Sequence, residues 1–153
     1  MGGYGALKFG IKHRGAFVFA ASLSGAVDAA NLTEENLGGA AWIWKTLEPV
    51  YGQPGTPTRN ANDLSKLYRE LAQDQIANLP FLYLDCGTED PLLGSNRRFV
   101  EILLSRKIPH EYRQLPGGHS WTYWDQQIRE VLRLATDKMQ PLDDTTIKTS
   151  NQN

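Results

Sequence analysis

Apolar positions along the chain repeat with two different periods, and the alternation between them predicts the elements. Three segments predict strands. Ala16 to Leu23 is short, apolar on both sides and bounded by glycines, which suits a buried parallel strand better than a surface helix. Phe81 to Cys86 opens directly after Pro80, where a strand tolerates proline. His110 to Leu115 is more polar, as an edge strand can be. Helices are predicted between and around them. Met1 to Ile11 places Gly3, Ala6 and Gly10 on one face for close approach to a sheet, with a frayed glycine-rich terminus as the other reading. After a cap at Asn62 or Asp63, Leu64, Leu67, Tyr68 and Leu71 follow helical spacing. Asn96 to Arg106 carries Phe99, Ile102 and Leu103 inward. Ser120 can cap a last helix with Trp124, Ile128, Val131, Leu132 and Ala135 on one stripe.

Residues 26–60 are the least regular part, with Gly38-Gly39 and three prolines among Trp42, Trp44, Leu47 and Tyr51. Aromatics in such a segment can line a substrate pocket or form a satellite core, and both readings stay open. From Asp137 the apolar periodicity stops. Residues 1–136 thus read as one α/β domain with a parallel sheet flanked by helices, and 137–153 as a polar, disordered tail.

Composition narrows the class without naming it. The chain has 153 residues, 41% hydrophobic and 22% charged, as a soluble globular domain has. Sixteen basic and seventeen acidic residues give a net charge of −1, with no basic block to recruit nucleic acid. One cysteine, Cys86, excludes an internal disulfide and a multi-cysteine zinc site, and its apolar strand beside Asp85 marks it as a core residue. No apolar run approaches the roughly 18 residues of a membrane span. No signal peptide is visible, which favours the cytoplasm slightly over other compartments.

The candidate chemistry lies between Phe81 and His119. Asp90 follows one predicted strand and His119 the next, and in an open α/β sheet both loops meet where ligands bind, outside the carboxyl ends of the strands. A carboxylate there can orient an imidazole that acts as general base. Glu89 and Asp85 rival Asp90, with Asp90 favoured. His119 could instead merely cap the helix that follows it. His13 and His110 read as surface residues. Ser22 and Ser24 lie outside any Gly-x-Ser-x-Gly turn and read as strand-end hydrogen-bonding residues.

Met1-Gly2-Gly3-Tyr4-Gly5-Ala6, Cys86-Gly87-Thr88-Glu89-Asp90 and Leu115-Pro116-Gly117-Gly118-His119-Ser120-Trp121 resemble three motifs of the esterase D family of α/β-hydrolases. That family includes S-formylglutathione hydrolases, feruloyl and acetyl esterases, and mycolyltransferases. Its nucleophile elbow commonly reads Gly-x-Ser-Met-Gly-Gly, and the chain order serine, acid, histidine belongs to the fold. The resemblance covers Met1 to about Leu134 and implies strands six to eight of the complete fold. It implies Asp90 as orienting acid, His119 as general base and Met1 as the backbone oxyanion donor. Trp42, Trp44 and Trp121 are the aromatic candidates for substrate contact. The implied substrate is a small-molecule ester or thioester, with no metal or organic cofactor. The serine position would directly precede Met1, so the isolated chain is expected to be inactive, with the missing half encoded upstream. Two other readings compete. One is a truncated, inactive binding or accessory module. The other is a metal-dependent hydrolase using Asp85, Asp90, His110 and His119, which lack any compact ligand motif.

Overall fold

A computed structural model describes residues 1–37 and 42–139. Its elements run α1 (Gly2–Lys12), β1 (Phe19–Leu23), a 3-10 turn (Ala29–Asn31), α2 (Glu34–Leu37), α3 (Trp44–Tyr51), α4 (Pro57–Asn60), α5 (Leu64–Arg69), α6 (Gln73–Ile76), β2 (Phe81–Gly87), α7 (Leu93–Ser105), β3 (His110–Leu115) and α8 (Trp121–Met139). The strands form one parallel sheet in the order β1-β2-β3. Register pairs Leu23 with Asp85 and Asp85 with Arg113, so all three strands end at one edge of the sheet.

β2 is buried along nearly its whole length because it has a strand on each side and helices on each face. Its alternate residues divide two cores. Leu82 and Leu84 join Tyr4, Leu7 and Ile11 of α1, Leu64 and Tyr68 of α5, and Phe99 and Leu103 of α7. Tyr83 faces the other way and joins Val131 and Leu134 of α8, with Phe19, Ala21 and Leu23 of β1 packed against them. The result is a three-layer α/β/α arrangement.

The glycines of α1 are explained by contact. A Cβ on Gly3 would lie 2.4 Å from the Ser22 hydroxyl, and one on Gly10 would lie 2.9 Å from Pro80. The helix therefore reaches the sheet at a distance only glycine permits. The Tyr68 hydroxyl donates to the Leu7 carbonyl and the Tyr4 hydroxyl to the Asn62 carbonyl, tying α1 to α5 and its approach. Asp63 is the cap of α5, its carboxylate accepting from the Lys66 amide at 3.1 Å.

Several boundaries differ from the sequence expectation. β1 begins at Phe19, not Ala16; Phe17 and Val18 are exposed, and the strand alternates half-buried and buried residues because its α1 face is well covered and its α8 face only partly. α7 begins at Leu93. The excursion holds short helices, as its mixture of apolar residues and turn formers allows. Leu132 is exposed and not part of the inner stripe. α8 runs past Asp137 to Met139, helped by the Arg133–Asp137 ion pair at i,i+4 and by Lys138 over the Phe81 ring. Gly38-Gly39 and the rest of the polar tail, 140–153, lie outside the described residues.

Candidate active site

Two loops at the carboxyl edge of the sheet are bound to each other. The Thr88 amide donates to the Leu115 carbonyl at 2.9 Å, and the Glu89 amide to the Gly117 carbonyl at 3.0 Å. The Gly117 amide in turn donates to the Glu89 carboxylate. The backbones approach so closely that a Cβ on Gly87 would stand 2.0 Å from the Gly117 oxygen. Gly117 itself has φ +135, a conformation that disfavours any side chain.

This clasp brings Asp90 and His119 together. Asp90 Oδ2 lies 3.0 Å from His119 Nδ1, with the carboxylate side chain fully buried and the imidazole partly open. Asp90 Oδ1 accepts from the Leu92 amide at 2.8 Å, which fixes the carboxylate plane. A carboxylate only accepts, so Nδ1 carries the ring proton and Nε2 is left as the basic atom. The rivals have other work. Glu89 is exposed and holds Gly117; Asp85 is buried and accepts from the Tyr83 hydroxyl at 3.2 Å.

Nδ1 of His119 faces its acid, and the ring borders a cleft of about 650 Å³. Met1, Gly2 and Gly3 at the amino end of α1 form one wall of the cleft. Leu23 and Ser24 lie at its floor, and Trp121, Trp124, Asp125 and Ile128 of α8 form another wall. Trp124 packs edge-on against both His119 (4.8 Å between centroids) and Trp121 (5.3 Å). Trp121 is 82% exposed, so most of its face is available. Helical periodicity alone puts Trp124 and Ile128 on the inner stripe of α8, whereas in the fold they border the cleft. The signal for this is their spacing from Trp121, which puts all three on one side just after the histidine.

Trp42 and Trp44 are not brought to this cleft. Trp42 is exposed elsewhere, and Trp44 is buried with Arg59 stacked 4.9 Å from its ring centre. Arg59 donates to the carbonyls of Ala30, Leu32 and Gly52, so Trp44 belongs to the packing of the excursion. His13 is exposed and stacks on Phe9, while His110 is half-buried with Nδ1 at the Ile108 carbonyl. Among the described residues, no group of three or more His, Cys, Asp or Glu side chains converges as a bound metal requires.

The serines differ from their expected role. The Ser22 hydroxyl is wedged between Gly3 and Gly25 and, like that of Ser24, has no hydrogen-bond partner among the described residues. Ser24 has φ +47 and is buried near the Cys86 thiol. Burial pushes that thiol up to about 11, so Cys86 stays protonated and inert.

A parallel sheet between helices, with a carboxylate and a histidine on successive strand-end loops, defines a partial α/β-hydrolase fold. Comparison with known proteins gives the family. The model of the "Putative esterase" family matches residues 1–134, and the chain belongs to that family. It is 29% identical over 130 residues to an acetyl esterase of Caldicellulosiruptor saccharolyticus, covering 84% of this chain and 48% of the relative. Among solved structures it resembles S-formylglutathione hydrolase (FrmB) of Staphylococcus aureus, with TM-score 0.63 and 26% identity over 87% of this chain and 50% of that one. It also resembles FphF, a fluorophosphonate-binding serine hydrolase of the same organism, with TM-score 0.68, 26% identity and the same coverage. The chain thus spans about half the length of that curated relative, and about half of each of these structures. Among the described residues no helix is long and apolar enough to cross a membrane.

Proposed function

We propose that this chain carries the acid–base half of a serine carboxylesterase, acting in the whole protein on a small-molecule ester or thioester. The observation that supports it most is the 3.0 Å approach of His119 Nδ1 to the buried Asp90 carboxylate, at a cleft bordered by the amino end of α1. The family pattern puts a serine directly before Met1, at that same end of the helix. His119 Nε2 takes the serine proton as the hydroxyl attacks the ester carbonyl. The imidazolium formed is stabilised by Asp90 and then returns the proton to the leaving alcohol or thiol. Water repeats the sequence to release the acyl group. The Met1 amide is the oxyanion donor in this reading, a contribution typically of about 3 kcal/mol to the transition state. Trp121 and Trp124 supply an apolar face for the acyl or leaving group.

A fluorophosphonate reagent, which phosphorylates activated serines, tests the assignment in the whole protein. The adduct is expected on the serine directly before Met1, and His119→Ala should slow its formation by roughly a thousandfold or more. An adduct on Ser22 or Ser24, or ester turnover by the 153-residue chain alone that His119→Ala abolishes, would overturn it.

A further inference from the structure

The face of the sheet beneath the histidine loop holds a buried polar cluster that the acid–base chemistry does not use. Asp85 and Tyr83 of β2 are fully buried, and Tyr123 of α8 is 3% exposed. The Tyr83 hydroxyl donates to Asp85 Oδ2 at 3.2 Å. The Tyr123 hydroxyl and Asp85 Oδ1 are both buried, and neither has a hydrogen-bond partner among the described residues. A buried hydroxyl and a buried carboxylate oxygen without partners are each destabilising unless they meet. Arg113 of β3, the register partner of Asp85, lies over the Tyr83 ring and is itself tied to Glu111 and Glu130.

Tyr123 is also joined to the catalytic loop. Its ring lies under Gly117, where a Cβ would meet Tyr123 Cδ2 at 2.6 Å. Its amide donates to the Ser120 hydroxyl at 3.4 Å, one residue after His119. We propose that the Tyr123 hydroxyl donates to Asp85 and that the two are positioning residues for His119: this contact fixes the first turn of α8, and with it the loop that presents the imidazole to Asp90. The proposal rests on the acid–base reading of Asp90 and His119 and adds the brace that holds the pair in register. Asp85 touches no substrate atom in this account, and the polar cluster is kept in an otherwise apolar layer because an apolar contact would not fix the ring's depth.

Tyr123→Phe separates this from packing alone, since it keeps the ring beneath Gly117 and removes only the hydroxyl. The readout is solvent exchange of the His119 Nδ1 proton in the whole protein, followed by nitrogen-15 NMR at about pH 8. Burial pushes the Asp85 carboxyl up to about 6, so it is ionised under those conditions. Tyr123→Phe should speed exchange about tenfold or more and Asp85→Asn by less. The double variant should not exceed Tyr123→Phe, because both changes act on one contact. Asp90→Asn should abolish the protected proton in every background. A protected proton that needs Asp90 but is unchanged in a folded Tyr123→Phe protein overturns the brace and leaves the acid–base reading standing. A wild-type protein with no Asp90-dependent proton overturns both. If Tyr123→Phe does not fold, Asp85→Asn decides: faster exchange supports the brace and unchanged exchange overturns it.

Discussion

The two faces of the sheet are built on different principles. On the α1 and α7 face, Leu7, Leu82, Leu84, Phe99 and Leu103 form an apolar core, which the Tyr68 hydroxyl enters while donating to the Leu7 carbonyl. On the α8 face a small apolar cluster of Tyr83, Val131 and Leu134 gives way, toward the carboxyl ends of the strands, to Asp85, Tyr123 and then the Asp90–His119 pair. Stability resides mainly on the first face and positional control on the second. Burial of a carboxyl is costly, and that cost falls where the loop bearing the imidazole must be held.

Substitutions on each face should therefore have different signatures. The largest stability effect belongs to the apolar face: Leu103→Ala should cost about 2–5 kcal/mol in chemical denaturation, because the fully buried site has little room to collapse. A loss under about 1 kcal/mol would show that this core is not the stabilising one. On the other face the sign depends on pH. Burial raises the Asp85 carboxyl from 3.8 to about 6. The folded state thus holds the proton more tightly than the unfolded chain. The stability this provides is complete below about pH 4 and is lost as pH rises through 6. Asp85→Asn has no proton to lose. Its stability relative to wild type should improve between about pH 4 and pH 7 by on the order of 3 kcal/mol, roughly two pK units at about 1.4 kcal/mol each. Parallel stability curves would contradict the burial argument. The smallest effect is at α1, where a Cβ added at Gly5 would meet nothing within 4 Å. Gly5→Ala should stabilise by about 0.5–1 kcal/mol through helix propensity, whereas Gly3→Ala should destabilise by driving a Cβ into Ser22. Equal responses at the two glycines would remove the close-approach explanation.

The alternation of periods is enough to place all three strands and the helices that flank them, because each buries an apolar stripe of ordinary length. The loops around Asp90 and His119 are legible for a different reason. A Gly-Thr-Glu-Asp turn and a Pro-Gly-Gly-His turn each follow a strand, and parallel topology sends both to the same edge. Pairing between the loops is not legible, since it depends on backbone contacts such as that between Gly87 and Gly117. The inner stripe of α8 misplaces Trp124 and Ile128, because a helix at the mouth of a cleft has two apolar faces, one toward the sheet and one toward the cleft, and only their spacing from Trp121 points to the second. Trp44 cannot be assigned from composition: only its contact with Arg59, well along the chain, distinguishes packing from substrate lining. Asp85 draws notice in the sequence as a rival acid, but its burial beneath α8 is set by tertiary structure alone.

If Asp90 and His119 serve a serine in the whole protein, pre-steady-state hydrolysis of p-nitrophenyl acetate will reveal it. Wild-type protein should show a burst of p-nitrophenol from acyl-enzyme formation. Asp90→Asn should lower kcat roughly 10⁴-fold, equivalent to about 5.5 kcal/mol, with little change in melting temperature. The 153-residue chain alone should show no hydrolysis above its own Asp90→Asn, His119→Ala control. Full turnover in a folded Asp90→Asn protein would contradict the account, and so would a burst that His119→Ala leaves intact.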